Sequence, residues 1–115
     1  MALGNVDQLL GTTMMNPEVK GAAMKVLVSP TEGWDSHVMR VIEVEAGGHT
    51  PRHAHPWPHI NYIIEGEGYL FLNGEENAIK AGGYAYVPSN ELHQFRNTGS
   101  TPLKFICIVP AEGHY

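Results

Sequence analysis

The stretch from Gly47 to Gly66, GGHTPRHAHPWPHINYIIEG, restricts the fold more than any other part of the chain. It sets His53, His55 and His59 within seven residues and places Pro56 and Pro58 between the last two. Proline lacks the backbone donor that a helix interior needs, and its ring collides with the preceding turn, so His55 and His59 cannot share a helix face despite their spacing of four. The segment must be extended and must turn at the prolines. Residues two apart on a strand point the same way, which makes His53 and His55 a pincer, with His59 opening the next strand and facing back toward it. A fourth histidine, His93, leads a short alternating run in SNELHQFRN.

Glycine and proline punctuate the rest of the chain as well. Thirteen glycines and 8 prolines in 115 residues favour many turns over long helices, and the length suits one domain. Strands are expected at 23–29, 36–44, around His53 and His55, and at 59–65, 69–72, 77–80, 84–87, 93–97 and 103–109. Turns are expected at Gly47-Gly48, at Gly66 to Gly68, at Asn73-Gly74, at Gly82-Gly83 and at TGSTP. Asn-Gly suits a type I′ hairpin turn because both residues accept positive φ. Short strands at regular spacing argue for an all-β sandwich or small barrel. Residues 1–22 read as an N-terminal arm with one helical turn near 5–10, leaving 23–110 as the barrel core. Val38, Arg40, Ile42 and Val44 share one face of their strand, and His37, Met39, Val41 and Glu43 share the other. A strand apolar on both faces is covered on both, by the barrel on one side and by another segment or subunit on the other.

Read as spacings, Gly47, five residues, His53-x-His55, three residues, His59, six residues and Gly66 resemble the first signature of the cupin superfamily. His59 stands where that signature usually has an acidic ligand. Gly82, five residues, Pro88-x-Asn90, two residues, His93, three residues and Asn97 resemble the second, with Asn90 in place of the usual glycine. Asn is among the few residues that tolerate left-handed backbone angles. The all-histidine set with its HPW step looks most like the small single-domain manganese cupins, over residues 23 to 110.

That resemblance implies residues 1–115 as a single cupin domain, a small antiparallel β-barrel of jelly-roll (double-stranded β-helix) type. It implies one divalent transition metal on His53, His55, His59 and His93, manganese first, with iron, nickel, copper and zinc also suited to imidazole. Four neutral rings leave the ion's charge uncompensated, which favours anionic substrate atoms and acidifies bound water. A six-coordinate ion would keep two open positions, enough for a substrate oxygen and dioxygen. The implied function is a metal-dependent, dioxygenase-type oxygenase acting on a small electron-rich or anionic molecule. Cupins also include isomerases, lyases, storage proteins and sensors, so a non-catalytic metal- or ligand-binding module is the competing reading.

Other residues carry two readings each. Cys107 shares a face with Phe105 and Val109; it is either a buried core thiol or, with Phe105, part of the pocket wall. Phe95 shares the face of His93. Arg40 is a charge on an apolar face, and either anchors substrate in the pocket or pairs with a carboxylate at the rim. Trp57 and Tyr62 are expected to pack at the barrel mouth or an interface. His37, His49 and His114 match no ligand position and read as surface residues, and Glu65 lies at the far end of its strand from the histidines. No Ser, Thr or Lys has a supporting base at a sensible spacing, so covalent catalysis finds no support.

Net charge is −5 and the seven Lys and Arg are scattered, which argues against nucleic acid. The single cysteine permits no intramolecular disulfide and suits a reducing compartment. No run approaches the ~20 apolar residues of a membrane span, so the chain is expected in the cytoplasm, away from membranes. Apolar surface on the strands at 23–29 and 38–44 suggests a homodimer.

Overall fold

The structure, a computed structural model, describes residues 2–114. Among them nine strands run β1 Thr12–Thr13, β2 Lys20–Val28, β3 His37–His49, β4 His59–Glu65, β5 Glu67–Leu72, β6 Glu75–Lys80, β7 Tyr84–Val87, β8 His93–Arg96 and β9 Leu103–Pro110. They form one curled antiparallel sheet in the order β6-β5-β8-β3-β9-β4-β7, with β2 on β3 and β1 on β2. The only helical pieces among the described residues are 3-10 turns at Val6–Gln8, Pro30–Glu32 and Ala111–Gly113. The fold is therefore the all-β, jelly-roll type that the turn spacing and the resemblance imply.

Strand alternation builds the interior. On β9 Leu103, Phe105, Cys107 and Val109 are all buried, and on β4 His59, Asn61 and Ile63 point in while Ile60, Tyr62 and Ile64 point out. Register aligns these residues in rungs across three strands. Arg40 on β3 pairs with Cys107 on β9, which pairs with Asn61 on β4; the next rung is Ile42, Phe105 and Ile63. Val44 and Leu103 follow. Phe95 on β8 stacks on Phe105 with ring centroids 4.0 Å apart.

The turn chemistry appears where it is expected. Asn73 and Gly74 have φ of 56° and 74°, as a type I′ hairpin requires, and Asn90 has φ of 65°. Three local expectations change. Gly47-Gly48 is not a turn, because β3 runs on through it to His49, whose partners are Lys20 and Arg96. A Cβ on Gly48 would run into the Lys20 carbonyl, so close strand approach is what glycine provides there. The segment around His53 and His55 is not a strand; only His53 makes a bridge, to His93. Proline on both sides removes the donors that a longer ladder would use. Part of the N-terminal stretch also joins the sheet: β2 starts at Lys20, and Thr12 and Thr13 pair with Met24 and Ala23. The expected helical turn is the 3-10 turn at Val6–Gln8, which lies against β2 with Lys25 Nζ donating to the Val6 carbonyl at 3.4 Å.

β3 is covered on both faces within one chain, since Val38, Val41, Ile42 and Val44 are all buried. Exposed apolar side chains include Val26 on β2, Leu3, Leu10 and Met15 in the N-terminal stretch, and a group on the outer face of β4 and β7.

Asn97 closes the packed end. Its amide nitrogen donates to the Val44 carbonyl at 2.9 Å and the Thr101 carbonyl at 2.8 Å, and its oxygen accepts from Gly99 N–H at 2.9 Å. Asn97→Ala removes all three bonds and takes a partner from the buried Val44 carbonyl, at a cost of about 2 kcal/mol. Glu76→Ala, which breaks only the surface pair with Arg96, should cost less than about 1 kcal/mol. Denaturant midpoints of the two variants check the contrast.

Candidate metal centre

The proline-rich segment is tied to the edge of β8 by backbone bonds at three points. Thr50 N–H donates to the Phe95 carbonyl at 2.9 Å; His53 and His93 exchange bonds of 3.1 and 3.0 Å; Asn90 N–H donates to the His55 carbonyl at 2.7 Å. Directly opposed residues on antiparallel strands put their side chains on the same face, so the His53–His93 bridge brings those two rings together, with centroids 4.8 Å apart. His55 follows on the same segment, and its ring lies 4.9 Å from that of His93. His59 enters from β4, with its ring 4.9 Å from His93.

The ligand nitrogens of His53, His55 and His93 all lie within 4.8 Å of one another and could hold a metal ion. Bonds of ~2.0–2.1 Å set nitrogens about 3–4 Å apart around one ion, so this cluster is of the size one ion gathers. His59 stands beside the three, with its Nε2 3.2 Å from His93 Nε2.

Hydrogen bonds fix the tautomers. His55 Nδ1–H donates to the Trp57 carbonyl at 2.7 Å and His93 Nδ1–H to the Glu91 carbonyl at 2.8 Å. Asn61 Nδ2 donates to the Ile106 carbonyl at 3.2 Å, which turns its Oδ1 toward His59 to accept the Nδ1–H at 2.6 Å. Each of these rings therefore keeps an unprotonated Nε2 with its lone pair turned inward, the arrangement in which an outer partner orients a metal-ligating imidazole. The His59 and His93 lone pairs face each other with no proton to share. A cation between them relieves that repulsion, so the donor set fits a metal ion.

Burial keeps the rings neutral. His59 and His93, 6% and 3% exposed, are both lowered to about 4, in each case mainly by burial. His53 is lowered to about 4 by burial, then by His93, His55 and His59, and His55 is lowered by burial foremost. Neutral imidazole is the form that binds metal.

The rings open onto a cavity of about 350 Å³ whose wall includes Arg40, Phe95, Phe105 and Cys107. Trp57 stacks on His55 at 5.0 Å and 11°, and a Cβ on Gly113 would press into the Trp57 indole, so the C-terminal turn packs over this rim. Met14 from the N-terminal stretch also lines the cavity. Tyr62 is on the outer face, and Glu65 pairs with Lys104 at 3.5 Å, well away from the rings. His37, His49 and His114 are partly buried rather than freely exposed; His49 contacts Thr50 and Gln94. The residue missed by sequence reasoning is Asn61. Its position two after His59, on the same strand face, was the available signal.

Residues 40–109 match the cupin domain family. The chain belongs to that family. Among solved structures, the polyketide cyclase RemF from Streptomyces resistomycificus is 26% identical with a TM-score of 0.90, covering 96% of this chain and 80% of that one. A predicted oxalate decarboxylase from Thermotoga maritima is 27% identical with a TM-score of 0.85, covering 94% and 97%. An oxalate-binding protein of Thermotoga maritima is 42% identical over 50 residues, 44% of this chain and 41% of that protein. The match spans about half the length of the curated relatives it matches first. As a cupin, the chain carries its histidine cluster within the matched residues. No helix among the described residues is long and apolar enough to cross a membrane.

The histidines give this cupin a pH dependence of definite sign. In the metal-free protein, rings at about 4 in the folded state face an ordinary value of 6.5 when unfolded. Between those values the unfolded chain binds more protons, so stability is full above about 6.5, falls as pH drops toward about 4, and is flat below for these groups. Denaturation of metal-free protein at steps across that window should show the fall, and a constant midpoint would contradict it.

Proposed function

We propose that this cupin binds one divalent transition metal, manganese first, through His53, His55, His59 and His93, and acts as a metal-dependent enzyme on a small, electron-rich, anionic molecule. The observation that carries the reading is the convergence of inward lone pairs held in place by the Trp57, Glu91 and Asn61 oxygens. When bound, the metal would supply Lewis acidity and, as manganese or iron, redox chemistry. The chain's own residues shape the reaction space. Phe95, Phe105 and Val109 shed water from the cavity wall, Arg40 supplies positive charge, and Trp57 holds His55 by stacking. The first reading of the reaction is dioxygenase-type, with dioxygen as oxidant.

A second reading, ring closure or isomerisation without oxidant, gains support from the likeness to the polyketide cyclase RemF, which extends over nearly the whole chain. Oxygen consumption separates the two. Metal-reconstituted protein is offered enols, diketones and catechols; oxygen uptake supports the first reading, and conversion without uptake the second. Full metal occupancy with neither outcome would leave a metal- or ligand-binding module.

Two ligand variants test the four-nitrogen set. His59→Glu keeps the ligand count and adds negative charge, so metal content should hold while anionic substrate binds more weakly. His59→Ala should loosen the metal. Full occupancy and unchanged binding in both variants would remove His59 from the site.

We further propose that two copies pair in the cytoplasm through the outer face of β4 and β7. Ile60 pairs with Tyr86 and Tyr62 with Tyr84 across the two strands, and Tyr84, Tyr86 and Ile60 are 85%, 60% and 53% exposed. Contiguous exposed apolar surface of this kind favours association. Light scattering at micromolar concentration should give a dimer mass, and Tyr84→Lys with Tyr86→Lys should shift it to the monomer.

A further inference from the structure

The cavity wall holds a charge that metal binding does not use. Arg40 leaves β3 between the inward-facing Val38 and Ile42, in the same rung as Cys107 and Asn61. Its Nη2 donates to Cys107 Sγ at 3.1 Å and its Nη1 reaches Met24 Sδ at 3.8 Å. Its Nε is buried without a hydrogen-bond partner among the described residues. The carboxylates in ion pairs among the described residues face Lys25, Arg96 and Lys104, and none lies within reach of Arg40.

A guanidinium stays charged at any working pH and offers five donors in a planar fork that matches a carboxylate. Thiol and thioether sulfur atoms are weak acceptors. A partly buried cation so poorly compensated is costly unless an anion joins it. Its charge is also felt at His55 and His59, where it favours the neutral rings, so it stands close to the imidazole cluster. A metal ion on those rings would add to the positive potential. In the same cavity wall Phe95 and Phe105, stacked on each other, supply apolar lining.

We propose that Arg40 is the anchor for the substrate's carboxylate, and that the ligand is a small carboxylate with a planar, apolar body resting against Phe105. The proposal rests on reading the cavity as the substrate site, and its charge requirement does not depend on the metal. Asn61, next but one in the rung, holds His59, so one strand register sets the anion anchor and the imidazole cluster at a fixed separation.

Benzoate and its neutral isostere benzamide are titrated calorimetrically into the metal-free chain and into the manganese-loaded chain. Benzoate should bind the metal-free chain at least about tenfold tighter than benzamide. Arg40→Gln should abolish that preference without changing benzamide binding, and Arg40→Lys should keep part of it. Should Arg40→Gln fail to fold, the Arg40 Nε–H resonance of the unaltered protein serves instead, and it should shift with benzoate and not with benzamide. Equal affinities, no benzoate binding, or a preference that survives Arg40→Gln would overturn the anchor. Tighter benzoate binding on manganese loading supports contact with the metal. Arg40-dependent binding in a chain that takes up no metal would refute the metal reading alone and leave the anchor standing.

Discussion

Two backbone hydrogen bonds, exchanged between His53 and His93 at 3.1 and 3.0 Å, carry most of the burden of assembling the centre. The prolines that keep residues 51–58 from becoming helix also keep them from forming a full ladder, so the segment is held at separate points rather than along its length. Thr50 and Asn90 supply the ties on either side. Because β8 is itself held between β5 and β3, the position of three of the four rings is inherited from the sheet. The fourth, His59, comes from β4 on the other side of β9.

The assembled groups oppose one another electrostatically. His59 and His93 are buried, and with His55 they turn their lone pairs inward, while Arg40 stands nearby with no ion-pair partner among the described residues. Lone pairs in this density favour a cation, whereas Arg40 disfavours one. An anion between the two would resolve the conflict, since it would compensate the guanidinium and a metal on the rings together. Local arrangements that are unfavourable alone and favourable once loaded are characteristic of binding sites, where stability is given up for function.

Much of this was readable in the chain because short spacings dictate local geometry. The two-residue step from His53 to His55, the breaks at Pro56 and Pro58, and the positive φ of Asn73 and Asn90 follow from the residues themselves. What escaped depended on distant partners. Gly47 and Gly48 read as a turn, and only the approach of Lys20 shows why the strand continues through them. Residues 53–55 read as a strand by alternation, yet a strand needs a neighbour with free donors, and here a single bridge is what the prolines leave. Thr12 and Thr13 gave no signal, since two residues have no periodicity. Arg40 was visible as a misplaced charge, but that no ion pair among the described residues includes it emerges only once the sheet has set the acidic side chains elsewhere.

The rungs across β3, β9 and β4 explain how so small a barrel has room for a site. Inward positions in the rung of Arg40, Cys107 and Asn61 bear polar groups and face the cavity; those of Ile42, Phe105 and Ile63, and of Val44 and Leu103 beyond, are wholly apolar. A hollow forfeits packing contacts, so the closed end must supply the stability. It does so with nearly complete burial: Val44 and Leu103 are at 0%, Phe105 at 1% and Ile63 at 2% exposure. Phe105 belongs to both ends, packing beneath and forming the cavity floor above. A change there would alter pocket shape and core packing together, whereas the rung above it can vary its polar groups with the packed end intact. Chemistry at the open end is therefore separable from folding at the closed end, and the boundary between them is one residue deep.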